Sequence, residues 1–561
     1  MQLNKKFINI YLYCLLCILI GAIFLLASVP PVSRDALTHH LFVPRLYLEH
    51  GGIYEIPAIP FSYYPMNLDL LYIIPLYLGN DIFPKYIHFV FALLTAWLIY
   101  NYLKNRISKT YGLLGCIVFL SIPIIIKLSI TVYVDLGLMF FTTASLLLLF
   151  RWIKSIKKIR YIIFSGLFCG LAAGTKYNGL ISLFLLSLFT PVLYIRSQKK
   201  KYGASARAIG FALIFVTASL TAYSPWLIRN YAWTGNPIYP LHNSFFNHAT
   251  VQSVDKESSQ HEKNSLSLIQ KIINSENSVF ATRKILYHET WWQSLLLPVR
   301  FFFQGRDDNP RYFDGKLNPF LFILPFFAFL SKSSPQAQLE KKTLLAFSIL
   351  FFFFTFFQEA LRIRYIVTIV PSLVLLSMIG LHNISSAVSK SGFFPKGRTK
   401  ELFILVIVAA MLGYNGEYIF RQFQIVKPIS YVSGKTSRDQ YIAMFRSEYP
   451  VIQYANRHVD PNAKVLCLFL GNRGYYMQFQ PIFKRPAQTV FFEASMNNLS
   501  VQAIKDELDR REIRHILLRN DLTNNWLQHL EKKKKQKIIL FFKKHTVKIF
   551  SQGGFTFFDL R

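Results

Sequence analysis

The stretch "SRDALTHH" (33–40) places Asp35, His39 and His40 where a long apolar run ends. Single ionisable residues recur at the ends of other apolar runs. They are Asp135 in "YVDLGL", Lys176 in "GLAAGTKYNGL", Arg229 in "SPWLIRNYAWTGNPIYPL", and Arg362 with Arg364 in "QEALRIRYIVTIVP". Charges at membrane depth are costly, so they tend to face a cavity, a partner or a substrate. A carboxylate can serve as general base on an acceptor hydroxyl or amine. Lysine and arginine can hold a phosphate and neutralise the charge that grows on a phosphate leaving group. A lipid-linked sugar phosphate presents such a group at headgroup level, with its polyprenyl tail in the bilayer. Each position also has a plainer reading. Lys176 and Arg229 can snorkel to headgroups, Arg362 or Arg364 can pair with Glu359, and Asp135 can cap the helix that follows it. His39 and His40 suit ordinary interfacial positions, with a metal role as the lesser alternative. Asp35, an acid beside a membrane exit, has no packing reason to be there.

The elements that must hold these residues are membrane helices. The 561-residue chain is 52% hydrophobic and contains 53 Phe, its mean hydropathy is +0.31, and several runs approach the roughly 20 apolar residues that cross a bilayer. The first run, 7–29, follows Lys5 and Lys6. It exceeds the roughly 7 to 15 apolar residues of a cleaved signal peptide, so it reads as an uncleaved anchor. A formal charge of +34 raises nucleic acid as a partner. Much of that charge, however, sits in short loops between apolar runs, the positive-inside pattern of membrane insertion, and no nucleic-acid partner is expected. Five basic clusters, "KNRISK" (104–109), "RWIKSIKKIR" (151–160), "RSQKKKYGASAR" (196–207), "SKSSPQAQLEKK" (331–342) and "KSGFFPKGRTK" (390–400), are placed inside with Lys5 and Lys6. The path then has about eleven crossings near 7–29, 82–103, 111–127, 133–150, 160–175, 178–195, 208–228, 317–331, 343–357, 365–385 and 401–420. The amino terminus falls inside, the carboxyl terminus outside, and every residue singled out above lies at the outer leaflet. "NLDLLYIIPLYLG" (67–79), short and carrying Pro75, reads as a helix in the outer interface.

The expected organisation is a transmembrane catalytic domain, 1–420, and a small extracytoplasmic α/β domain, 421–561. Outer loops interrupt the first at about 30–81 and 230–316. The larger loop is polar through "HATVQSVDKESSQHEKNS" (248–265) and aromatic in "HETWWQSLLLPVRFFF" (288–303), where Trp291 and Trp292 suit interface anchors better than sugar platforms. In the tail, "AKVLCLFL" is a buried-type strand, "GNRGYY" a glycine turn and "SVQAIKDELDRREI" a helix. "RHILLRN" is a second strand, and "HTVKIF" with "GFTFFDL" forms a closing pair. "EKKKKQK" (531–537) is a solvated charge run with lipid headgroups as a possible contact. Four of the five cysteines lie in apolar segments and Cys467 in the tail, a spacing that suggests neither disulfides nor a metal site.

At these residues the chain resembles the multi-spanning GT-C glycosyltransferases, in particular the bacterial branch similar to dolichyl-phosphate-mannose-protein mannosyltransferases and Rgt-type sugar transferases. The likeness is carried by "RDALTHHLFVPRLYLEHGGIY", "VYVDLGLMFFTTASLLLL", "GLAAGTKYNGL" and "SPWLIRNYAWTGNPIYPL". Weaker support comes from "LRIRYIVTIVPSL", "FLGNRGYY" and "REIRHILLRNDL". The resemblance implies inverting transfer of a sugar from a polyprenyl-phosphate donor to an extracytoplasmic glycan, lipid or protein acceptor, at the outer face of a bacterial cytoplasmic membrane. It makes Asp35 the catalytic base, and Lys176, Arg229, Arg362 and Arg364 the phosphate and sugar contacts. Asp135, with His39 and His40, would touch the acceptor or the donor head. Many such enzymes carry paired acids in the first loop, whereas Asp35 is followed by Ala36; no required metal or other cofactor is expected. Two readings from other classes stand beside this one: a transporter or flippase of a lipid-linked envelope intermediate, and a non-catalytic membrane scaffold. A transporter would favour internal repeats and charges at the bilayer midplane, and the sequence carries neither.

Overall fold

The computed structural model describes residues 5–198, 204–246, 279–356, 361–390, 398–483 and 500–561. The polar stretch 248–265 and Glu359 lie outside the described residues. Two compact units divide the chain. One comprises Met1–Ala27, Tyr63–Leu71 and Phe83–Lys427; the other comprises Ser28–Ser62, Tyr72–Ile82 and Pro428–Arg561.

The first unit is helical, and it is the multi-pass membrane part of the chain. Among the described residues, seven helices are long and apolar enough to cross a membrane, or eight if a bent pair counts as one span. Large apolar side chains such as Trp97, Leu213, Ile228 and Phe353 point outward, as they do where lipid takes the place of water. Burial separates central from peripheral helices. The Asp135–Lys154 and Ile363–Ala387 spans are 78% and 83% buried, whereas Lys6–Ala27 is 22% and Ile404–Val426 17%.

Several expected crossings take a different form. The run 111–127 is broken into Lys109–Ser121 and Pro123–Ser129, bent by 67°, because Pro123 opens the second piece and cannot continue the first. The runs expected at 160–175 and 317–331 become a 14-residue helix, Arg160–Ala173, and an eight-residue helix, Phe320–Phe327. The run 343–357 is the apolar end of a longer helix, Pro335–Phe356. Close packing compensates for the shortness of Arg160–Ala173. Its Gly166 and Gly170 lie against the backbone of Phe215 and Ser219 on the Ala204–Thr234 helix, where a Cβ would collide. This is small-residue packing at four-residue spacing, as membrane helices use.

The second unit holds a five-stranded sheet in the order β2-β1-β3-β5-β4, with β1 Lys464–Leu468, β2 Gln480–Ile482, β3 Ile513–Arg519, β4 Thr546–Gln552 and β5 Phe555–Leu560. β1 runs parallel to β2 and β3, while β5 is antiparallel to β3 and β4. The crossover from β1 to β3 includes the helix Val501–Arg510, and Gly553 and Gly554, both at positive φ, make the tight β4–β5 turn. The strands and helix expected from sequence are all present. The three-residue β2 is an addition, and the lysine run 531–537 opens a helix, Lys532–His545. The first-loop segments Ser28–Ser62 and Tyr72–Ile82 belong to this unit.

Candidate active site

In the helical unit, Asp135 is the first residue of the Asp135–Lys154 helix, but it does not cap it: Val134 is the cap and no side chain closes the end. The carboxylate is instead spent on a partner, since Lys176 Nζ donates to Asp135 Oδ1 at 2.6 Å. Asp135 is only 1% exposed, and an unpaired carboxylate there would carry the full desolvation cost. Arg364 also lies close enough to act on Asp135 electrostatically. The aromatic ring of Tyr365 lies 5.1 Å from Lys176 Nζ and 5.2 Å from the Arg364 guanidinium. Tyr133 stacks under Arg364 at 5.1 Å.

The local sequence explains these placements. Lys176 follows Arg160–Ala173 in the turn "GTKYNG". Asn67 secures this turn: its backbone N–H donates to Gly174 O at 3.0 Å and its Nδ2 to Leu171 O at 3.2 Å. Gly174 leaves the room that the Asn67 side chain occupies, since a Cβ there would meet the Asn67 amide. On the opposite side, His88 fixes the start of the Asp135 helix. Its Nε2 accepts from the Leu136 N–H at 3.0 Å, and Nδ1 faces the carbonyls of Leu128 and Thr131, both at 3.0 Å. The proton therefore sits on Nδ1 and the imidazole is neutral.

Arg229 and Arg362 lie in other neighbourhoods of the same unit. Arg229 stacks between Trp226 and Trp233 at 4.5 and 4.7 Å, and its Nη2 donates to the carbonyls of Tyr63 and Tyr64 at 2.7 and 3.2 Å. Asn230 links this cluster to Tyr177, donating to its hydroxyl at 3.1 Å. Arg362 pairs with Asp314 at 3.7 Å, beside Lys127, whose Nζ lies 3.2 to 3.5 Å from Asp307, Asp308 and Asp314. Burial raises the Asp314 carboxyl, but Lys127 and Arg362 outweigh it and hold the group below the ordinary carboxylate value. Asp135, Lys176 and Arg364 form one cluster, Arg229 is held by Trp226, Trp233 and the Tyr63–Tyr64 carbonyls, and Arg362 by Asp314.

Asp35, His39 and His40 belong to the second unit. Asp35 is half-buried and precedes a π-helical turn, Ala36–His40, without capping it. His39 stacks between His40, at 4.0 Å, and Phe61, at 4.4 Å. The tail holds this segment in place. The backbone N–H of Tyr475 donates to Leu37 O at 3.2 Å, Tyr476 Oη to Pro31 O at 2.8 Å, and Arg446 Nε to Val32 O. Arg45, on the helix Phe42–His50, donates to the carbonyls of Tyr475 and Met477. The motif "GNRGYY" therefore clamps the loop that carries Asp35. Among the described residues, no group of three or more His, Cys, Asp or Glu side chains is arranged to hold a metal ion.

Sequence reasoning missed His88, Asn67, Tyr365 and the Lys127–aspartate cluster. His88 and Lys127 were findable by the rule applied to Asp135, as ionisable residues inside apolar runs. Asn67 and Tyr365 carry no such signal.

Comparison with known proteins bears on this geometry in two ways. The family described as dolichyl-phosphate-mannose-protein mannosyltransferase matches residues 73–228, a span that includes His88, Asp135 and Lys176. No curated protein matches the chain. Among solved structures, ArnT from Cupriavidus metallidurans bound to undecaprenyl phosphate is similar over 98% of this chain and 97% of its own, at TM-score 0.58 and 12% identity. Its apo form gives TM-score 0.58 at 11% identity, with the same coverage. The archaeal oligosaccharyltransferase AglB from Archaeoglobus fulgidus, in complex with an inhibitory peptide and a dolichol-phosphate, covers 98% of this chain and 74% of its own, at TM-score 0.52 and 14% identity. The resemblance to GT-C glycosyltransferases read from the sequence holds at the level of the fold.

Proposed function

We propose that the protein is an inverting glycosyltransferase that moves a sugar from a polyprenyl-phosphate donor to an extracytoplasmic acceptor at the outer face of a bacterial cytoplasmic membrane. The observation that carries this reading is the Asp135–Lys176–Arg364 cluster, in which two cations share one buried carboxylate in a fold similar to that of a protein bound to undecaprenyl phosphate. Lys176 and Arg364 put two cationic side chains beside one carboxylate, a setting suited to an anionic ligand. A donor enters laterally from lipid, and its phosphate meets Lys176 and Arg364. Arg229 and Arg362 serve the sugar and the surrounding walls, and His39 and His40 the acceptor or donor head. Asp35 takes the proton of the acceptor hydroxyl or amine as that atom attacks the anomeric carbon in line. The bond from the anomeric carbon to the phosphate oxygen breaks, its electron pair leaves with the polyprenyl phosphate, and the configuration inverts. The eleven-crossing path belongs to the same proposal, since it puts these residues and the carboxyl-terminal domain outside.

The test is transfer from synthetic polyprenyl-phosphate sugars by purified protein in micelles, without a gradient, using acceptors chosen from glycan analysis of a deletion strain. Asp35→Asn is expected to lower turnover by about 10²- to 10⁴-fold while the protein stays folded. Full turnover in that variant removes Asp35 as the base. Donor movement across vesicles without transfer replaces the enzyme with a transporter.

A further inference from the structure

The Asp135–Lys154 helix carries a second feature at its far end. Asp135 and Lys154 are 19 residues apart, roughly 29 Å along the axis. Between this helix and Phe83–Arg106 runs a groove of about 310 Å³, lined by Trp97, Asn101 and Arg106 on one side and Phe140, Arg151 and Lys154 on the other. From Phe140 to Lys154 it extends roughly 21 Å, more than half of the roughly 30 Å hydrocarbon thickness. Its two ends differ in chemistry. One wall is aromatic, and Trp97, 57% exposed, opens it to the surroundings.

The other end is basic. Glu340, fully buried, is paired there with Arg106, lies 3.6 Å from Lys154, and accepts from Tyr102 Oη at 2.8 Å. Arg106 and Lys154 share this one carboxylate, and Arg151 lines the same groove, so cationic charge outnumbers anionic charge among these side chains. Arg151 is exposed and enters no ion pair among the described residues. Snorkelling alone would send these side chains to water. It would not need a buried glutamate drawing two of them to the mouth of an apolar groove.

We propose that this groove binds an anionic glycerophospholipid of the surrounding bilayer, its phosphate at Arg151 and Lys154 and one acyl chain along Trp97 and Phe140. The site lies at the opposite end of the helix from the Asp135–Lys176 pair and does not depend on the transfer reaction.

The test uses the purified full chain in mixed micelles, with acyl-brominated phosphatidylglycerol and phosphatidylcholine as quenchers of tryptophan fluorescence. The Trp97 contribution is isolated by difference from Trp97→Phe. Half-maximal quenching of Trp97 is expected at an about tenfold lower mole fraction of phosphatidylglycerol, and Arg151→Gln/Lys154→Gln removes the preference. Lys154 also serves Glu340, so Arg151→Gln alone is the second variant, with the preference reduced about threefold. The proposal is overturned if both lipids quench equally in the wild type, if the double variant keeps the preference, or if Arg151→Gln leaves it at full size. It is equally overturned if undecaprenyl phosphate displaces phosphatidylglycerol from Trp97 at a tenfold lower mole fraction.

Discussion

Asp135 and Lys176 stand 41 positions apart in the chain yet share a 2.6 Å contact, and the carboxylate of the pair is almost wholly withdrawn from solvent. Removing one member of a buried pair costs about 3 to 5 kcal/mol where the other charge is left uncompensated; here Arg364 still acts on Asp135, which puts the cost at the low end. Lys176→Met is therefore expected to lower unfolding stability in micelles by about 3 kcal/mol, and Asp135→Asn/Lys176→Met to restore most of it. Transfer separates the two roles of the lysine. If Lys176 also meets the donor phosphate, the stabilised double variant stays inactive; if activity returns with stability, Lys176 serves only Asp135. Both residues were legible in the sequence, because a charge set in an apolar run has a cost that demands a reason. Their pairing was not, since spacing along the chain says nothing about which helix ends meet. The same limit hid the partners of Arg229 and Arg362, the Tyr63 and Tyr64 carbonyls for one and Asp314 for the other.

At the scale of elements, the motif around Lys176 works through its glycines as much as its cation. Gly166 and Gly170 let Arg160–Ala173 approach the Ala204–Thr234 helix, which bears Arg229. Gly170→Val is expected to destabilise the unit by about 1 to 3 kcal/mol through overpacking, seen as a lowered thermal midpoint in micelles.

A second element-level prediction concerns the segment that ends at Phe303. Glu289 is bonded to Arg283 at 2.7 Å and to Arg300 at 2.9 Å. Burial raises its carboxyl, but the two guanidiniums prevail and hold it below the ordinary value. A depressed folded-state value stabilises the fold fully above the unfolded value, about 4.3, and that stabilisation is lost as pH falls through the folded one. The wild type should thus melt above Glu289→Gln at pH 6, and the gap should close as the pH drops below about 4. Strand and helix patterns in the tail were legible because alternation and amphipathic spacing are local properties. The break at Pro123 and the short Arg160–Ala173 helix were harder to read, because hydropathy marks an apolar run without fixing where its backbone stays helical.

For the molecule as a whole, the first loop and the tail are one physical object although the 345 residues Phe83–Lys427 separate them in sequence. Arg45 shows why. Its fork reaches two backbone carbonyls, those of Tyr475 and Met477, a geometry the single ammonium of lysine cannot reproduce. Gly474 faces the ring of Phe42 so closely that a Cβ would collide with it. Strand and helix patterns marked 421–561 as an α/β piece, and the five-stranded sheet lies within those residues. Nothing in the residues 28–62 announced that their partners lay there. The tail therefore acts as the support that fixes the backbone on either side of Asp35.

If this is right, Arg45→Lys should lower kcat by about tenfold, a loss of roughly 1.4 kcal/mol in the transition state, with the donor KM unchanged. The base would be misplaced while the donor site stays intact. A chain ending at Lys427 would lose Arg446, Tyr475 and Tyr476 together, and trypsin should then cut after Arg45 much faster than in the full-length protein. Full transfer by that shortened chain, or unchanged protection of Arg45 within it, would show that the first loop holds its own conformation and that the tail has some other task.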